Sequence, residues 1–268
     1  MVQLRNTLGS IEVDDDPDPA IFYGGPMIVL VDRFSASASE IFAGAIQDYG
    51  RALIVGQQTY GKGTVQNAHP LNYTIFGRKP ELGQLNVTMG KYYRITGEST
   101  QDRGVTPDIA LPSLIDATEV GESTRDRALP WDHIEPAAFR VEGDLKQITA
   151  SLQKLHEERT ANSADFRYLK DDIAALDAMR SQKTLSLNIK TREAERKRQE
   201  SERLERENAW RASHDVKPVK ALEEIKDDAS AGILLDEASQ IAADLAVTAA
   251  HRAGPTQARR TDKPTHDD

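Results

Sequence analysis

Ser37 and Lys62, 25 residues apart, are two side chains that could do covalent chemistry together in this 268-residue sequence. Ser37 lies within Arg33-Phe34-Ser35-Ala36-Ser37-Ala38-Ser39-Glu40, between a strand-like apolar run and a helix-like one. The carboxyl end of a strand leading into a helix is where α/β proteins concentrate reactive groups. Two readings of the serine stay open on these residues. Ser37 and Glu40 fit the S-x-x-E capping box, in which each side chain satisfies an orphan amide of the first helical turn. The same amides could instead stabilise an oxyanion formed beside a nucleophilic hydroxyl. Such a hydroxyl needs a base. The six histidines (His69, His133, His156, His214, His251, His266) lie outside any strand-and-glycine setting, and only His69 is near. Lysine is the other recorded partner of serine. Lys62 sits in Tyr60-Gly61-Lys62-Gly63-Thr64, where the flanking glycines permit close backbone approach. A lysine serves as a base only after shedding the proton of an ammonium whose ordinary pKa is about 10.4, which demands a dry pocket. The plain alternative is an exposed loop lysine or an anion holder. A P-loop is excluded, because residues 56–62 lack the G-x-x-x-x-G-K-[ST] order.

Elements must hold these groups in place. Residues 26–32 (PMIVLVD) and 52–56 (ALIVG) are short apolar runs rich in β-branched side chains, which predicts two buried strands. Between them Ile41, Phe42, Ala45 and Ile46 recur at helical spacing over 39–48, and Gly50 closes the run. The order is strand, helix, strand, with the serine at the first junction and the lysine just past the second strand. Residues 84–95 supply a third strand ending at Gly97, so this part is mixed α/β. The character changes near residue 116. Beyond 140, Leu145, Ile148, Leu152 and Leu155, then Phe166, Leu169, Ile173 and Leu176, each line one face of an amphipathic helix. Ala161-Asn162-Ser163 supplies a turn and an N-cap between them. Residues 190–207 carry seven basic and six acidic side chains, the pattern of a solvated helix laced with i,i+4 pairs. Leu234, Ala238, Ile241 and Leu245 predict a last helix over 236–247, and the polar tail beyond Arg252 is expected to be disordered.

Composition removes whole classes of function. The formal net charge of −9 argues against a polyanion-binding surface and so against nucleic acid. With no cysteine, disulfide frameworks, thiolate zinc sites and cysteine nucleophiles are excluded together. The acidic run Asp14, Asp15, Asp16 and Asp18 lacks the glycine and terminal glutamate of an EF-hand loop and reads as hydrated surface. No run is long and apolar enough to span a bilayer, and no export signal opens the chain.

Three blocks in order carry a resemblance: Val31-Asp32-Arg33-Phe34-Ser35-Ala36-Ser37-Ala38-Ser39-Glu40-Ile41-Phe42-Ala43, then Gln47-Asp48-Tyr49-Gly50-Arg51-Ala52, then Tyr60-Gly61-Lys62-Gly63-Thr64-Val65-Gln66. Together they resemble the tail-specific, carboxyl-terminal processing proteases of peptidase family S41. The likeness continues through Tyr93-Arg94-Ile95-Thr96-Gly97 and Gly104-Val105-Thr106-Pro107-Asp108-Ile109. Ala128-Leu129-Pro130-Trp131-Asp132 is similar to the long periplasmic members with a helical carboxyl-terminal domain.

The resemblance implies a partial α/β catalytic core with a mixed sheet, over 1–115, then a linker over 116–139. An all-α carboxyl-terminal domain over 140–250 and a tail over 251–268 would follow. It implies that Ser37 is the nucleophile and Lys62 its general base, hydrolysing peptide bonds through an acyl-enzyme with no metal and no other cofactor. The Ala38 amide is the natural first oxyanion donor, as the residue after the nucleophile. Gln66 would position the lysine amine, which requires a bend near Gly63, since four extended residues span about 13 Å. Asp48, 11 residues after the serine, would be grouped with the site, or would simply be a polar residue at a helix end. Substrates would be proteins or peptides with apolar carboxyl termini, in the periplasm or at the inner membrane. An adaptor protein or an amino-terminal half would be the partner. Relatives carry an upstream PDZ domain and a glycine-rich strand that lends a second oxyanion amide. Neither is in this sequence, so the chain reads as a carboxyl-terminal piece with impaired turnover. The alternative is an inactive remnant whose helices bind another protein.

Overall fold

The computed structural model describes residues 2–18, 20–71, 82–143, 145–226 and 229–253. The amino-terminal part holds two sheets. In the first, β1 (Val2–Asn6), β2 (Ile11–Asp14), β5 (Thr64–Pro70) and β6 (Gln84–Arg94) form an antiparallel sheet in the order β2-β1-β6-β5. In the second, β3 (Ile28–Val31), β4 (Leu53–Gly56) and β7 (Ile109–Ala110) are parallel, with Val29 opposite Ile54 and Val55 opposite Ile109. Helix α1 (Ala38–Asp48) joins β3 to β4, as the apolar spacing predicts.

Alternation along β4 divides the core. Leu53 and Val55 point to one side of the parallel sheet and pack with Ile109, Leu111 and the helical region. Ile54 points to the other side and joins Val31, Ala43 of α1 and Val105. A parallel sheet is stable when both faces are covered, and here the second cover comes from the carboxyl-terminal helices. These are α2 (Lys146–Thr160), α3 (Ala164–Ser181), α4 (Ile189–Ser213) and α5 (Ala229–Ala253). Ile148 and Leu152 of α2 and Ala238, Ile241 and Leu245 of α5 complete the core against β4.

The architecture is therefore mixed sheets with a helix followed by an all-helical region. Some expectations need correcting in detail. Leu155 is 41% exposed, and His156 takes the buried position in α2, with Nδ1 2.8 Å from the Glu237 carboxylate of α5. Helix α5 begins at Ala229, a full two turns before 236. The highly charged helix spans Ile189–Ser213, with Arg196–Glu200 and Arg198–Glu202 pairs on its exposed face. Ser163 caps α3 as expected, accepting from the Phe166 amide. The expected tail beyond 253 lies outside the described residues. No helix among the described residues is long and apolar enough to cross a membrane.

The stretch between the two regions contains no long helix or strand, yet it is tightly packed on the core. Trp131 donates its indole N–H to the Ser99 carbonyl at 2.9 Å, beneath the Arg103 guanidinium. Asp132 accepts from Arg5 and Lys91, both at 2.5 Å, and from the Tyr93 hydroxyl. Burial pushes the Asp132 carboxyl up, but the Lys91, Arg5 and Tyr93 hydrogen bonds outweigh it and hold the group below its ordinary range. A carboxyl depressed on folding stabilises fully above its unfolded value, near pH 4, and loses that contribution as pH falls through the lower folded value. Wild type should therefore exceed Asp132→Asn in urea midpoint at pH 7, and the gap should close as pH falls below the ordinary carboxylate value. A gap of constant size would show that the carboxylate charge is not what fastens this stretch.

Candidate active site

Ser37 stands at the β3–α1 junction with φ 56° and ψ −113°, a backbone conformation that a residue with a side chain rarely adopts. Holding it there costs roughly 1–3 kcal/mol, and such strain is found where function requires it. What holds it is visible on both sides of the peptide. The Ser37 N–H donates to Glu40 Oε2 at 2.8 Å. The Ser37 carbonyl accepts the Glu40 and Ile41 amides that open α1, and the Tyr92 hydroxyl lies 3.1 Å from it. Ala38, the next residue, is exposed, and its amide carries no hydrogen bond among the described residues.

Glu40 does more than close a capping box. Its side chain is fully buried and bonded to four donors, two at each oxygen. Oε1 accepts the Thr59 hydroxyl at 2.5 Å and the Gly61 N–H at 2.6 Å. Oε2 accepts the Lys62 N–H at 2.9 Å beside that of Ser37. A carboxylate offers about four acceptor sites, so this one is saturated, which is what makes its burial tolerable. One oxygen therefore fixes the backbones of both candidate residues at once.

The loop carrying Lys62 is bonded along its whole backbone. Gly61 accepts from Asp102 N, Lys62 accepts from the Tyr92 hydroxyl at 2.7 Å, and Gly63 accepts from Tyr92 N. Gly63 in turn donates to the Gln101 side chain at 2.9 Å. Gly61 has φ 96°, and a Cβ there would stand 2.9 Å from the Asp102 backbone, so this position requires glycine. Tyr92 is 2% exposed. Burial, with the nearby Glu40 charge, pushes its hydroxyl well above the ordinary tyrosine range, leaving it a protonated donor. With every backbone group of residues 61–63 engaged, the Lys62 side chain remains. It is half-buried, and its amine forms no ion pair or hydrogen bond among the described residues.

The other two expected residues make no hydrogen bond to Ser37 or Lys62 among the described residues. Gln66 is exposed on β5, just past an irregularity in register at Val65/Gln66, with Nε2 3.5 Å from the Thr88 hydroxyl on β6. Asp48 ends α1, eleven residues or about 16 Å along the helix from Ser37. Its carboxylate is gripped by Arg94 through Nε at 2.9 Å and Nη2 at 2.5 Å. Both partners are largely buried, so Asp48→Asn should lower unfolding stability by about 3 kcal/mol. A loss below about 1 kcal/mol in urea denaturation would contradict a structural role for the pair. His69, the histidine nearest in sequence, is exposed near the far end of β5. A cleft of about 760 Å³ lies at the Asp48 end of α1 among Gln47, Thr96, Asp108 and Lys146.

Glu40, Tyr92 and Gln101 are the positioning groups that spacing alone does not reveal. A carboxylate three residues after the serine signals a cap, and nothing local signals the second oxygen's partners in a loop some twenty residues later.

Comparison with known proteins gives the family of the chain. Residues 1–111 match the model of peptidase family S41, and residues 115–247 match the model described as the C-terminal domain of tail specific protease (DUF3340). The chain belongs to the S41 peptidases, in the tail-specific branch that carries this helical domain. It is 39% identical over 251 residues to the tail-specific protease of Haemophilus influenzae, covering 92% of this chain and 36% of that protein. A carboxy-terminal-processing protease of Bartonella bacilliformis is 49% identical over 86 residues, 32% of this chain and 18% of the relative. Among solved structures, the photosystem II D1 C-terminal processing protease shares 40% identity over 32% of this chain and 20% of its own, with a TM-score of 0.27. The chain thus spans about a third or less of the length of these relatives.

Proposed function

We propose that this chain carries the serine–lysine centre of a peptidase that cleaves proteins at or near apolar carboxyl-terminal tails. The observation that carries the reading is the Glu40 carboxylate, one oxygen of which binds the amides of Ser37 and Lys62 together. In the first step Ser37 Oγ attacks the scissile carbonyl carbon while the neutral Lys62 amine takes the hydroxyl proton. The Ala38 amide donates to the oxygen that becomes negative. The C–N bond then breaks, the leaving amine takes the proton from Lys62, and an ester to Ser37 remains. Water, deprotonated by the same amine, attacks that ester, and as the acyl–oxygen bond breaks the proton passes from Lys62 to Ser37 Oγ, which restores both groups. Asp48 and Gln66 support this centre from outside it, the first by anchoring α1 through Arg94 and the second from the strand that follows the lysine loop. Protein substrates follow from the family, and the periplasm is the compartment that the resemblance implies.

The test is cleavage of an unstructured peptide ending in apolar residues by the wild-type chain and by Ser37→Ala and Lys62→Ala. Activity in wild type that is lost in both variants supports the dyad. Equal cleavage by all three rejects it and leaves a helical module that binds other proteins.

A further inference from the structure

Arg33 is 4% exposed, and every side-chain hydrogen bond it makes among the described residues is to a backbone carbonyl. Nη1 donates to Thr59 O at 2.5 Å, Nε to Val120 O at 2.6 Å and Nη2 to Ala117 O at 3.1 Å. Thr59 begins the loop that carries Lys62. Ala117 and Val120 belong to the start of the region matched by the tail-specific domain. The guanidinium thus staples one matched region to the other at the point where the lysine loop leaves β4. Burial lowers its basicity, and the nearby Glu40 charge, followed by Tyr60, pulls it back up.

Neighbouring contacts run the same way. Gly121 has φ 147°, and a Cβ there would sit 2.2 Å from Arg33 Nη2 and 3.2 Å from Tyr60 O, so the strap lies flat on the loop only as glycine. Glu122 N donates to Tyr60 O at 3.0 Å, and Arg125 Nε donates to the Tyr60 hydroxyl at 3.1 Å. Further along, Trp131 fastens Ser99, whose hydroxyl accepts from Gln101 N, and the Gln101 side chain accepts from Gly63 N. Two stretches, 117–125 and 130–132, therefore press on opposite ends of the lysine loop. A guanidinium this buried, already spread over three carbonyls, is unsuited to receiving a substrate carboxylate.

We propose that Arg33 is a positioning residue for the Lys62 loop, acting by clamping residues 117–121 of the tail-specific domain across it. The inference rests on Lys62 as the base, and it makes the start of the helical domain an integral wall of the peptidase site rather than a tether. The domain boundary then cannot hinge without loosening the lysine.

The test uses the full chain and hydrogen–deuterium exchange, which reads the clamp whether or not the chain turns over. In Arg33→Met and in Gly121→Ala, the amides of residues 59–63 should exchange about tenfold faster or more, with protection of β4, α2 and α5 retained. Arg33→Lys, which keeps the charge but not the three-way fork, should fall between. In parallel, phosphonylation of Ser37 should slow in Arg33→Met and recover in part in Arg33→Lys, since the loosened loop no longer holds the base against the hydroxyl. Unchanged exchange at 59–63 in both Arg33→Met and Gly121→Ala overturns the proposal. So does a uniform loss of protection across all helices, which would mark general destabilisation. Absence of Ser37 labelling in the wild-type chain would count against the serine–lysine reading, while the exchange data would still decide the clamp.

Discussion

Glu40→Gln is expected to lower stability by about 3 kcal/mol and peptide cleavage by about 10²-fold. The carboxylate accepts four hydrogen bonds in a site with no water access, and a glutamine amide can accept at one end only. Either Ser37 N and Lys62 N, or Thr59 Oγ1 and Gly61 N, would face an NH₂ group. Each buried donor left unmet costs about 1–3 kcal/mol. A capping residue alone is worth about 1 kcal/mol, so urea unfolding separates the two roles cleanly. A loss of about 1 kcal/mol with full activity would reduce Glu40 to the local cap. The loss in cleavage follows because the same oxygen sets the separation of the Ser37 and Lys62 backbones, and a displacement of about 1 Å at reacting groups is costed at about that factor.

Lys62→Met should show the opposite balance. Methionine keeps a long unbranched side chain and removes the amine. Because the amine holds no partner among the described residues, stability should change by no more than about 0.5 kcal/mol. Turnover should fall by about 10⁴-fold or more with KM little changed, the pattern for a group that acts only in the transition state. Comparing kcat, KM and urea midpoint for this one variant distinguishes a base from an exposed loop lysine, for which all three would stay put. It also distinguishes a base from an anion holder for substrate, whose removal would raise KM instead.

The parts of the fold legible in the sequence are those where burial writes a period into the chain. The run at 53–56 is buried throughout and reads as a continuous apolar strand. The run at 28–31 reads the same way, yet of the two strands predicted to be buried it is the one the structure corrects, since only Val31 is buried and Leu30 is exposed, while α1 between them carries its period plainly. Strands β2 and β5 are almost wholly exposed sheet edges, so Thr64–Pro70 offers alternation too weak to detect, and β7 is only two residues long. Leu155 misled because helical spacing alone does not say which flank of a face is covered. The neighbouring His156 is buried instead because Glu237 on α5 receives it. At the site, Ser37 and Lys62 were legible as residue types in ordered blocks. The groups that hold them were not, because Glu40, Tyr92, Gln101 and Arg33 act across 19 to 87 residues of chain. Such contacts are products of the fold and leave no local pattern.

The most direct measurement of the central claim is an acid quench during turnover of a short activated ester, followed by mass spectrometry of the digested chain. An acyl group on the peptide containing Ser37, present in wild type and absent from Lys62→Met, is the predicted result. Ester cleavage with no acyl group on Ser37, or the same acyl level in Lys62→Met, would contradict it.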